Sequence, residues 1–415
     1  MSPKPLLVVG AGIAGITAAV EAAEAGQPVV LVEREASVGG RVLKNHQYFP
    51  KLCPPSCGME LNTRRLDKNP NVRVLVRSQV GAATRSGGDW RVTVKTSPAY
   101  VTTACTACGA CTSACPATVA DPFNLGMGKV AAIRLPHTDA WPRRHVLDRQ
   151  ACPPECRKCA DVCPVPGAIA LEAKETQEEL EVSAIVVATG WTPYPVEKLP
   201  ELGGGRLADV VSNVQLERLA APAGPTGGKI LKPSNGEAPK RVAFVQCAGS
   251  RDVKHLPYCS AVCCMASTKQ AMYVKEALPD AEVTVYYIDR RTPGRNESML
   301  AKAEAKGVKF VKGKVGTVAG AKSGGGALVL HLEDVDAGRL TDAEVDLVVL
   351  ATGMVPEGTS ELPFPMARDA DGFVLEDRAQ RLFAAGVARR PEDVAATVRD
   401  ATGVAAKAMS AARSV

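Results

Sequence analysis

The chain of 415 residues has few aromatic or histidine side chains and no long apolar run. Only 4% of its residues are aromatic, five are histidine, and the basic residues are scattered, so no nucleic-acid-binding surface is expected. No apolar segment reaches the roughly 18 residues that a membrane-spanning helix needs. The apolar N-terminal segment also lacks the cleavage site of a secretory signal. We therefore expect a protein inside the cell with no membrane span of its own.

Cysteine, in contrast, is abundant: the chain has 14, in a composition that is 46% hydrophobic and 23% charged. This composition supports a hydrophobic core, and the length predicts about two to three domains. A chain of this size needs no disulfides for stability, and the interior of a cell would keep the thiols reduced. The cysteines therefore indicate metal or redox chemistry, which their spacing must distinguish.

The N-terminal segment predicts a strand, a glycine turn, a helix and a second strand. Gly10, Gly12 and Gly15 fit the pattern G-x-G-x-x-G. In this pattern the glycines allow a tight turn, a close approach to a pyrophosphate, and close packing of helix on strand. Glu33 ends the second strand, where a carboxylate accepts hydrogen bonds from ribose hydroxyls. The segment predicts a dinucleotide site in a Rossmann-type domain.

Further glycines favour FAD over NAD as the dinucleotide. Gly40 and Arg41 lie in a Gly-Gly-Arg sequence that resembles the second glycine pair of FAD enzymes of the glutathione-reductase type. Gly190 and Gly353 each follow a buried-strand pattern that ends in Ala-Thr-Gly, and Gly386 follows a third strand, as in that class. We therefore expect all five residues to contribute to an FAD site.

One position departs from that class. The last glycine is usually followed by an aspartate that binds the cofactor, whereas this chain has Val387. We expect the positive N-terminus of the helix that begins near Pro391 to hold this part of FAD instead.

Eight cysteines form two quartets, each followed by proline, in a segment with little helix or strand periodicity. The first spacing, C-x2-C-x2-C-x3-C-P, is that of bacterial ferredoxins, and the second differs by one residue in its first gap. Paired runs of this kind share ligands crosswise between two [4Fe–4S] clusters. The alternative, a pair of zinc sites, does not explain the Cys-Pro ends. The predicted ligands are Cys105, Cys108, Cys111 and Cys163 for one cluster, and Cys152, Cys156, Cys159 and Cys115 for the other.

A third group contains Cys247, Cys259, Cys263 and Cys264, in a spacing that matches no general motif. In flavoenzymes with two dinucleotide sites, the second site begins with a strand and a glycine turn. Here the corresponding strand runs into Cys247 and the glycine turn is absent. We therefore expect no NAD site at this place, and the thiols predict a third cluster.

Cys53 and Cys57 form a C-x3-C pair that follows the FAD glycines. Three interpretations are open. The pair is a redox-active dithiol beside the flavin, a source of further cluster ligands, or a buried pair in a loop that prolines stiffen.

The sequences around these cysteines resemble the family of heterodisulfide-reductase A subunits, in segments 48–58, 244–252 and 258–265. Within that family they most resemble the quinone-linked branch, the A subunits of quinone-interacting membrane-bound oxidoreductase complexes. Methanogen-type members carry a further ferredoxin region after the flavin domain, and this chain ends without one, which favours the same branch.

The resemblance implies an FAD and iron–sulfur subunit that carries electrons between the quinone pool and adenylylsulfate (APS) reductase. It implies two partner subunits, one in the membrane and one with its own flavin and iron–sulfur clusters. It also implies a cytoplasmic location, at the inner membrane through those partners. The alternatives are the A subunit of an electron-bifurcating complex, an NAD(P)H-dependent small subunit, and an iron–sulfur scaffold protein, which would need no FAD.

We expect an α/β protein with an inserted module. The Rossmann-type FAD-binding domain of glutathione-reductase type is predicted at 1–98 and 171–235, and a ferredoxin-like module at 99–170 interrupts it. A second, smaller α/β domain with the third cysteine group is predicted at 236–350, and the chain returns to the FAD domain at 351–415.

Overall fold

The structure is a computed structural model that describes residues 3–321, 327–358 and 362–413. Across these ranges, no helix combines the length and the apolar composition needed to cross a bilayer. The helices are α1 (Ile13–Glu24), α2 (Pro55–Lys68), α3 (Ala110–Ala114), α4 (Lys158–Asp161), α5 (Asn213–Ala220), α6 (Cys263–Ala277), α7 (Glu297–Ala305) and α8 (Val394–Arg413). The strands are β1 (Leu6–Val9), β2 (Val29–Glu33), β3 (Val72–Val76), β4 (Ser78–Ser86), β5 (Asp89–Thr96), β6 (Thr118–Ala120), β7 (Lys129–Ala131), β8 (Ile133–Arg134), β9 (Val146–Leu147), β10 (Thr176–Val182), β11 (Ala184–Val187), β12 (Trp191–Pro193), β13 (Val210–Ser212), β14 (Arg241–Ala248), β15 (Glu282–Tyr287), β16 (Val308–Gly320), β17 (Leu328–Asp334), β18 (Arg339–Val345), β19 (Leu347–Thr352), β20 (Met354–Pro356) and β21 (Leu382–Ala384).

A five-stranded parallel sheet, in the order β21-β11-β1-β2-β3, forms the core of the first domain. Its strands read as apolar runs because both faces of the sheet are covered, as is usual for parallel sheets. Helices α1 and α8 pack on one face, and the antiparallel sheet β10-β5-β4 covers the other, where Trp90 is buried. The turn between β1 and α1 therefore lies at the carboxyl edge of the sheet, beside the ends of β2 and β11.

The second domain contains a seven-stranded sheet in the order β13-β19-β14-β15-β16-β17-β18. The strands from β13 to β16 run parallel, and β16, β17 and β18 form an antiparallel meander. Helices α5, α6 and α7 contribute buried residues to its main core. The short strands β12 and β20 pair antiparallel where the chain passes from one domain to the other and back.

The border between the domains differs from the predicted one at residue 235. Strand β13 pairs with β19 in the seven-stranded sheet, so β13 and α5 belong to the second domain and not to the segment 171–235 of the first. An edge strand of three residues has too little periodicity to be recognised in a sequence. The segment rich in Gly and Pro at 221–240, which resembles a linker, follows α5 inside the second domain.

The cysteine-rich insert fills the connection between β5 and β10, which are neighbouring strands with Thr96 opposite Thr176. Because the two ends of the connection adjoin each other, a module fits between them without disturbing the sheet. The insert contains the hairpins β6-β7 and β8-β9 and the short helices α3 and α4. Its small core combines cysteines with buried Ile133 and Leu147.

Candidate functional site

One large cavity lies at the carboxyl edge of the five-stranded sheet, between the first domain, the insert and the N-terminal turns of α5 and α6. Its volume is about 1220 Å³. Most small-molecule pockets have roughly 300–1,000 Å³, so this one suits a ligand as long as a dinucleotide. Six of the predicted cofactor residues line it: Gly10, Gly12, Glu33, Gly40, Arg41 and Gly190.

The glycine turn brings the backbone close to the cavity. Gly10 has a φ of 100°, and a Cβ there would lie 2.4 Å from the Ala188 carbonyl oxygen, so only glycine fits. Gly40 packs on the turn, since its Cβ would lie 2.8 Å from the Gly12 Cα. Among the described residues, no atom lies within 4 Å of a Cβ placed on Gly12. This open space, at the N-terminus of α1, fits a pyrophosphate.

Glu33 is buried at the end of β2, where it ties the glycine turn to the strand. Its carboxylate accepts hydrogen bonds from the backbone N–H groups of Ala11 (2.7 Å) and Glu35 (2.9 Å). Burial raises the pKa of Glu33, although these hydrogen bonds act in the opposite direction. The carboxylate lines the cavity and so fits the predicted contact with a ribose.

Two further side chains in the cavity wall have unused bonding capacity. The Arg41 guanidinium stacks over the Trp191 ring at 4.7 Å, and no carboxylate of the described residues forms an ion pair with it. Glu392, just before α8, pairs with Arg390 through one oxygen, while its buried Oε2 has no hydrogen-bond partner. Arg41 therefore fits an anionic group and Glu392 a hydroxyl of a ligand. The start of α8, at Val394, lines the same region, where the sequence predicts a helix N-terminus.

Two of the predicted cofactor glycines stand behind the cavity wall. A Cβ on Gly15 would lie 1.8 Å from the Gly10 carbonyl oxygen, so this glycine allows α1 to pack closely on the turn. A Cβ on Gly386 would lie 2.9 Å from both Ala14 and Thr397, so this glycine allows α1 and α8 to approach each other. Both glycines therefore allow the close packing that positions the elements of the site.

Gly353 is not part of the cavity lining, although the next residue, Met354, is, so its expected FAD contact stays a prediction. The Ala-Thr-Gly sequence that it ends follows β19, which belongs to the sheet of the second domain. A Cβ on Gly353 would lie 2.4 Å from Ser250 Oγ and 2.8 Å from Ser260 Oγ, both in the segment that carries the third cysteine group. The two Ala-Thr-Gly strand ends are alike in sequence, and only strand pairing assigns them to different sheets.

The inner end of the cavity contains a buried ion pair that the sequence patterns do not reveal. Glu217 of α5 and Lys269 of α6 are 2% and 3% exposed, and their charged atoms lie 2.9 Å apart. Glu217 also accepts hydrogen bonds from Gln270 Nε2 (2.6 Å) and from the His46 backbone N–H (2.9 Å). The pair places an ammonium group in the cavity wall, and its only sequence signal is a charge on an otherwise buried helix face.

Replacing Lys269 with methionine is expected to lower the free energy of unfolding by about 3–5 kcal/mol, because the Glu217 carboxylate would stay buried without a counter-charge. Chemical unfolding followed by tryptophan fluorescence measures the change. The double variant Glu217→Gln with Lys269→Met removes both charges and should recover more than half of the loss. If the double variant is as unstable as Lys269→Met alone, the ion pair is not the cause.

The structure brings four cysteines of the insert together around one small cavity. Its lining includes Cys105, Cys108 and Cys111 of the first quartet and Cys163, the last of the second. His145 lines it as well, 4% exposed, with Nδ1 at 3.7 Å from Cys105 Sγ. The position of His145 follows from tertiary packing alone, since the histidines show no ligand spacing in the sequence.

Three of the other insert cysteines are grouped in the same crosswise way. Burial raises the pKa of the Cys159 thiol, and the nearby thiols of Cys152 and Cys115 add to the rise. Cys156 completes the second quartet, and its carbonyl oxygen accepts a hydrogen bond from Arg149 Nη1 (3.3 Å). Cys115 thus lies with the second quartet, while Cys163 lies with the first.

No three Cys, His, Asp or Glu side chains in the described ranges are arranged to hold a single metal ion. A [4Fe–4S] cluster separates its thiolates farther than one ion does, because each thiolate binds a different iron atom. The donor sets contain thiols alone, which are the usual ligands of such clusters. The chemistry of these donor sets therefore fits [4Fe–4S] clusters.

The third cysteine group lies where β14 ends and α6 begins. Cys247 is near the end of β14 with a φ of 55°, and Cys263 and Cys264 are the first residues of α6. Burial raises the pKa of these three thiols, and the neighbouring Cys259 thiol adds to each rise. The structure therefore brings all four together, and iron binding would have to release their protons.

The first turn of α6 separates this group from the large cavity. Val262 and Ala266 line the cavity, and Cys263 and Cys264 lie between them in the chain. A ligand at the inner end of the cavity would therefore lie within one helical turn of the third cysteine group.

Cys53 and Cys57 lie beside the cavity and are not part of its lining. Both are free thiols; Cys53 is partly buried, and Cys57 is exposed in the first turn of α2. They flank Tyr48, which lines the cavity and whose backbone N–H donates to the Cys53 carbonyl oxygen (3.1 Å). Burial raises the pKa of Tyr48, and both thiols add to the rise. The exposure of Cys57 contradicts the interpretation as a buried pair. The other two interpretations, a redox-active dithiol and further cluster ligands, stay predictions.

The insert contacts the first domain through a partly buried histidine. His137 Nε2 lies 2.8 Å from Ser37 Oγ, and the ring stacks on Phe123 with 4.6 Å between centroids. Burial lowers the pKa of His137 from 6.5 to about 4. The folded protein therefore keeps this histidine neutral at a pH where the unfolded chain would bind a proton.

Replacing His137 with glutamine is expected to weaken the acid sensitivity of the fold. The contribution of His137 is complete above pH 6.5 and is lost as the pH falls toward 4, because only the unfolded chain is protonated in this window. At 1.36 kcal/mol per pKa unit, the loss between about pH 6.5 and pH 5 is about 2 kcal/mol. Thermal unfolding under argon at both pH values measures it. The control His331→Gln removes an exposed histidine that pairs with Asp342 on the neighbouring strand and should not weaken the acid sensitivity. Equal acid-induced losses in the wild type and His137→Gln would contradict the prediction.

Comparison with solved structures identifies the fold. It is similar to thioredoxin reductase from T. acidophilum, with a TM-score of 0.53, 15% identity and 99% of each chain covered. It is also similar to the Lactococcus lactis thioredoxin reductase, with a TM-score of 0.52, 13% identity, and 99% of this chain and 100% of that one covered. Residues 5–48 match the family described as FAD dependent oxidoreductase. The fold and the site thus resemble those of FAD-dependent oxidoreductases of Rossmann type, and the predicted fold class is confirmed.

The chain is a homologue of the A subunits of heterodisulfide reductases. It is 36% identical over 419 residues to the A subunit of the H(2):CoB-CoM heterodisulfide,ferredoxin reductase of Methanothermobacter marburgensis, covering 97% of this chain and 63% of that one. It is 34% identical over 421 residues to the iron-sulfur A subunit of the CoB–CoM heterodisulfide reductase of Methanocaldococcus jannaschii, with the same coverage. The chain spans less than two thirds of the length of these relatives. The resemblance to heterodisulfide-reductase A subunits is confirmed.

Proposed function

We propose that the chain is an electron-transfer subunit that holds FAD in the large cavity and exchanges electrons between the flavin and [4Fe–4S] clusters. The position of the cavity supports this proposal, because it borders the third cysteine group through α6 and reaches the insert at residues 146–150. FAD takes up two electrons and releases them singly, whereas a cluster carries one. A flavin between clusters therefore suits two-to-one electron exchange.

In this proposal the glycine turn and the N-terminus of α1 bind the pyrophosphate, Glu33 binds the ribose, and Arg41 adds a positive charge. The thiols of Cys53 and Cys57 are proposed as redox thiols, which would form a disulfide when the flavin takes up two electrons and two protons. Two clusters are proposed in the insert and a third between the domains. The proposed ligands are Cys105, Cys108, Cys111 and Cys163, then Cys152, Cys156, Cys159 and Cys115, and finally Cys247, Cys259, Cys263 and Cys264.

The content of iron and flavin per polypeptide tests this proposal, on protein purified without oxygen. Three [4Fe–4S] clusters correspond to about twelve irons, and we expect them with one FAD. About eight irons with FAD would mean that the third cysteine group holds no cluster. Iron without flavin would contradict the electron-transfer role and favour a scaffold protein.

We further propose a place in a quinone-interacting complex of sulfur metabolism. There the chain exchanges electrons with APS reductase in the cytoplasm and, through a membrane subunit, with the quinone pool. A further subunit with flavin and iron–sulfur clusters completes the complex. The chain would lie at the inner membrane through these partners. The motif resemblance around Cys53 and the Cys247 group supports this proposal.

The second candidate is the A subunit of an electron-bifurcating, heterodisulfide-reductase-like complex, and the names of the relatives favour it. Reoxidation of the reduced protein distinguishes the two. Loss of the reduced flavin spectrum on addition of APS reductase and adenylylsulfate supports the quinone-linked complex. Reoxidation only with heterodisulfide-reductase partner subunits and their heterodisulfide supports the second candidate.

A further inference from the structure

Two arginines lie close to the thiols of the third cysteine group. Arg251, four residues after Cys247, lowers the pKa of that thiol against the larger effect of burial, and the Cys259 thiol acts to raise the pKa of Arg291. Both guanidinium groups carry a positive charge at any physiological pH. Two fixed positive charges therefore adjoin two of the four thiols.

One carboxylate holds both arginines in place. Asp289 Oδ1 lies 3.0 Å from Arg251 Nη1 and 3.0 Å from Arg291 Nε. The Asp289 backbone oxygen also lies 3.7 Å from Cys264 Sγ. Asp289 follows β15, the parallel neighbour of β14, so the sheet brings it to the same edge as Cys247. Two arginines and one aspartate leave one net positive charge beside the group.

We propose that Arg251 and Arg291, positioned by Asp289, raise the reduction potential of the cluster at the third cysteine group. The inference rests on the proposed function, which supplies the cluster and the flavin. Reduction adds one electron to the cluster and removes one from the reduced flavin, and no covalent bond forms or breaks. A cluster with four thiolates is already negative, so adjacent guanidinium groups stabilise the form with the added electron.

An anaerobic redox titration followed by electron paramagnetic resonance tests the proposal on the full chain with its cofactors. The signal of this cluster is identified as the one that Cys263→Ala removes. In Arg251→Gln and in Arg291→Gln, we expect the ratio of oxidised to reduced cluster at a fixed potential to rise at least tenfold. A tenfold change corresponds to a shift of 59 mV for a one-electron couple.

Arg290→Gln provides a matched control at the adjacent position. Arg290 pairs with Glu304 (3.0 Å) and stacks over Tyr287 at 5.3 Å, and no contact with a thiol is present among the described residues. Its replacement removes the same charge from the same loop and should change the ratio less than twofold. An equal shift in Arg290→Gln and Arg291→Gln would mean that general surface charge, and not a position close to the thiols, sets the potential.

The variant Asp289→Asn distinguishes the positioning of the two arginines by Asp289 from the effect of the Asp289 charge itself. Removal of a negative charge alone would favour the reduced cluster, whereas release of the two arginines favours the oxidised one, which is the result we expect. If iron and FAD stay at the wild-type level and no variant shifts the potential, the inference is overturned while the proposed function stands. If the wild type itself has about eight irons, both the inference and the third cluster of the proposed function are overturned.

Discussion

Replacing Gly12 with valine is expected to yield a folded protein that has lost its flavin. The backbone tolerates valine, because Gly12 has a φ of −74° and no described atom lies within 4 Å of the added Cβ. The branched side chain would instead fill the open space in front of α1, where the proposed pyrophosphate meets the backbone. We expect bound FAD to fall at least tenfold, which corresponds to about 1.4 kcal/mol of binding free energy.

Flavin absorbance after acid release measures this loss, and circular dichroism with iron content verifies the fold. Gly403→Ala is the control, since Gly403 lies in α8 and its Cβ would also meet open space. Gly15→Ala offers a contrast, because its Cβ would lie 1.8 Å from the Gly10 carbonyl oxygen and should disturb the fold itself. Full flavin content in folded Gly12→Val would place the cofactor outside this turn.

Replacing Cys163 with alanine is expected to remove the cluster for which the first quartet supplies the other three ligands. The structure places Cys163 with Cys105, Cys108 and Cys111, although more than fifty residues separate them in the chain. A [4Fe–4S] cluster that loses one thiolate ligand is not retained through purification, so iron should fall from about twelve to about eight per chain. FAD content should not change, because no cysteine of the insert lines the flavin cavity.

Double variants distinguish crosswise ligation from two separate quartets. Cys111→Ala with Cys163→Ala removes two ligands of one cluster and should still leave about eight irons. Cys115→Ala with Cys163→Ala damages both clusters and should leave about four. If each quartet held its own cluster, the first pair would lose eight irons and not four. Cys57→Ala, an exposed thiol outside the insert, is the control and should retain all the iron.

The local motifs could be derived from the sequence because their geometry depends on residues close together in the chain. Gly10, Gly12 and Gly15 form one turn and the start of one helix, so their spacing, together with the flanking strands and Glu33, predicts a dinucleotide site. Cys105, Cys108 and Cys111 lie on one short segment, so their spacing alone predicts a cluster. The apolar runs at Leu6–Val9 and Val29–Glu33 likewise predict buried parallel strands.

Residues whose role depends on distant contacts could not be found in this way. Gly190 and Gly353 end similar strands, but one lines the cavity and the other supports the third cysteine group. His145 reaches Cys105 across the insert, and Glu392 reaches the cavity from the far end of the chain. The sequence carries no periodicity or spacing that marks such positions.

The sequence by itself determined which FAD and cluster motifs the chain carries, because glycine turns and cysteine spacings are properties of short chain segments that tertiary packing does not alter. The tertiary structure decided the border of the second domain at β13, the buried pair of Glu217 and Lys269, and the arginines beside the third cysteine group. Each of these results depends on which strands pair and which helix faces meet. Such pairings join residues tens to hundreds of positions apart, and only the folded chain brings them together.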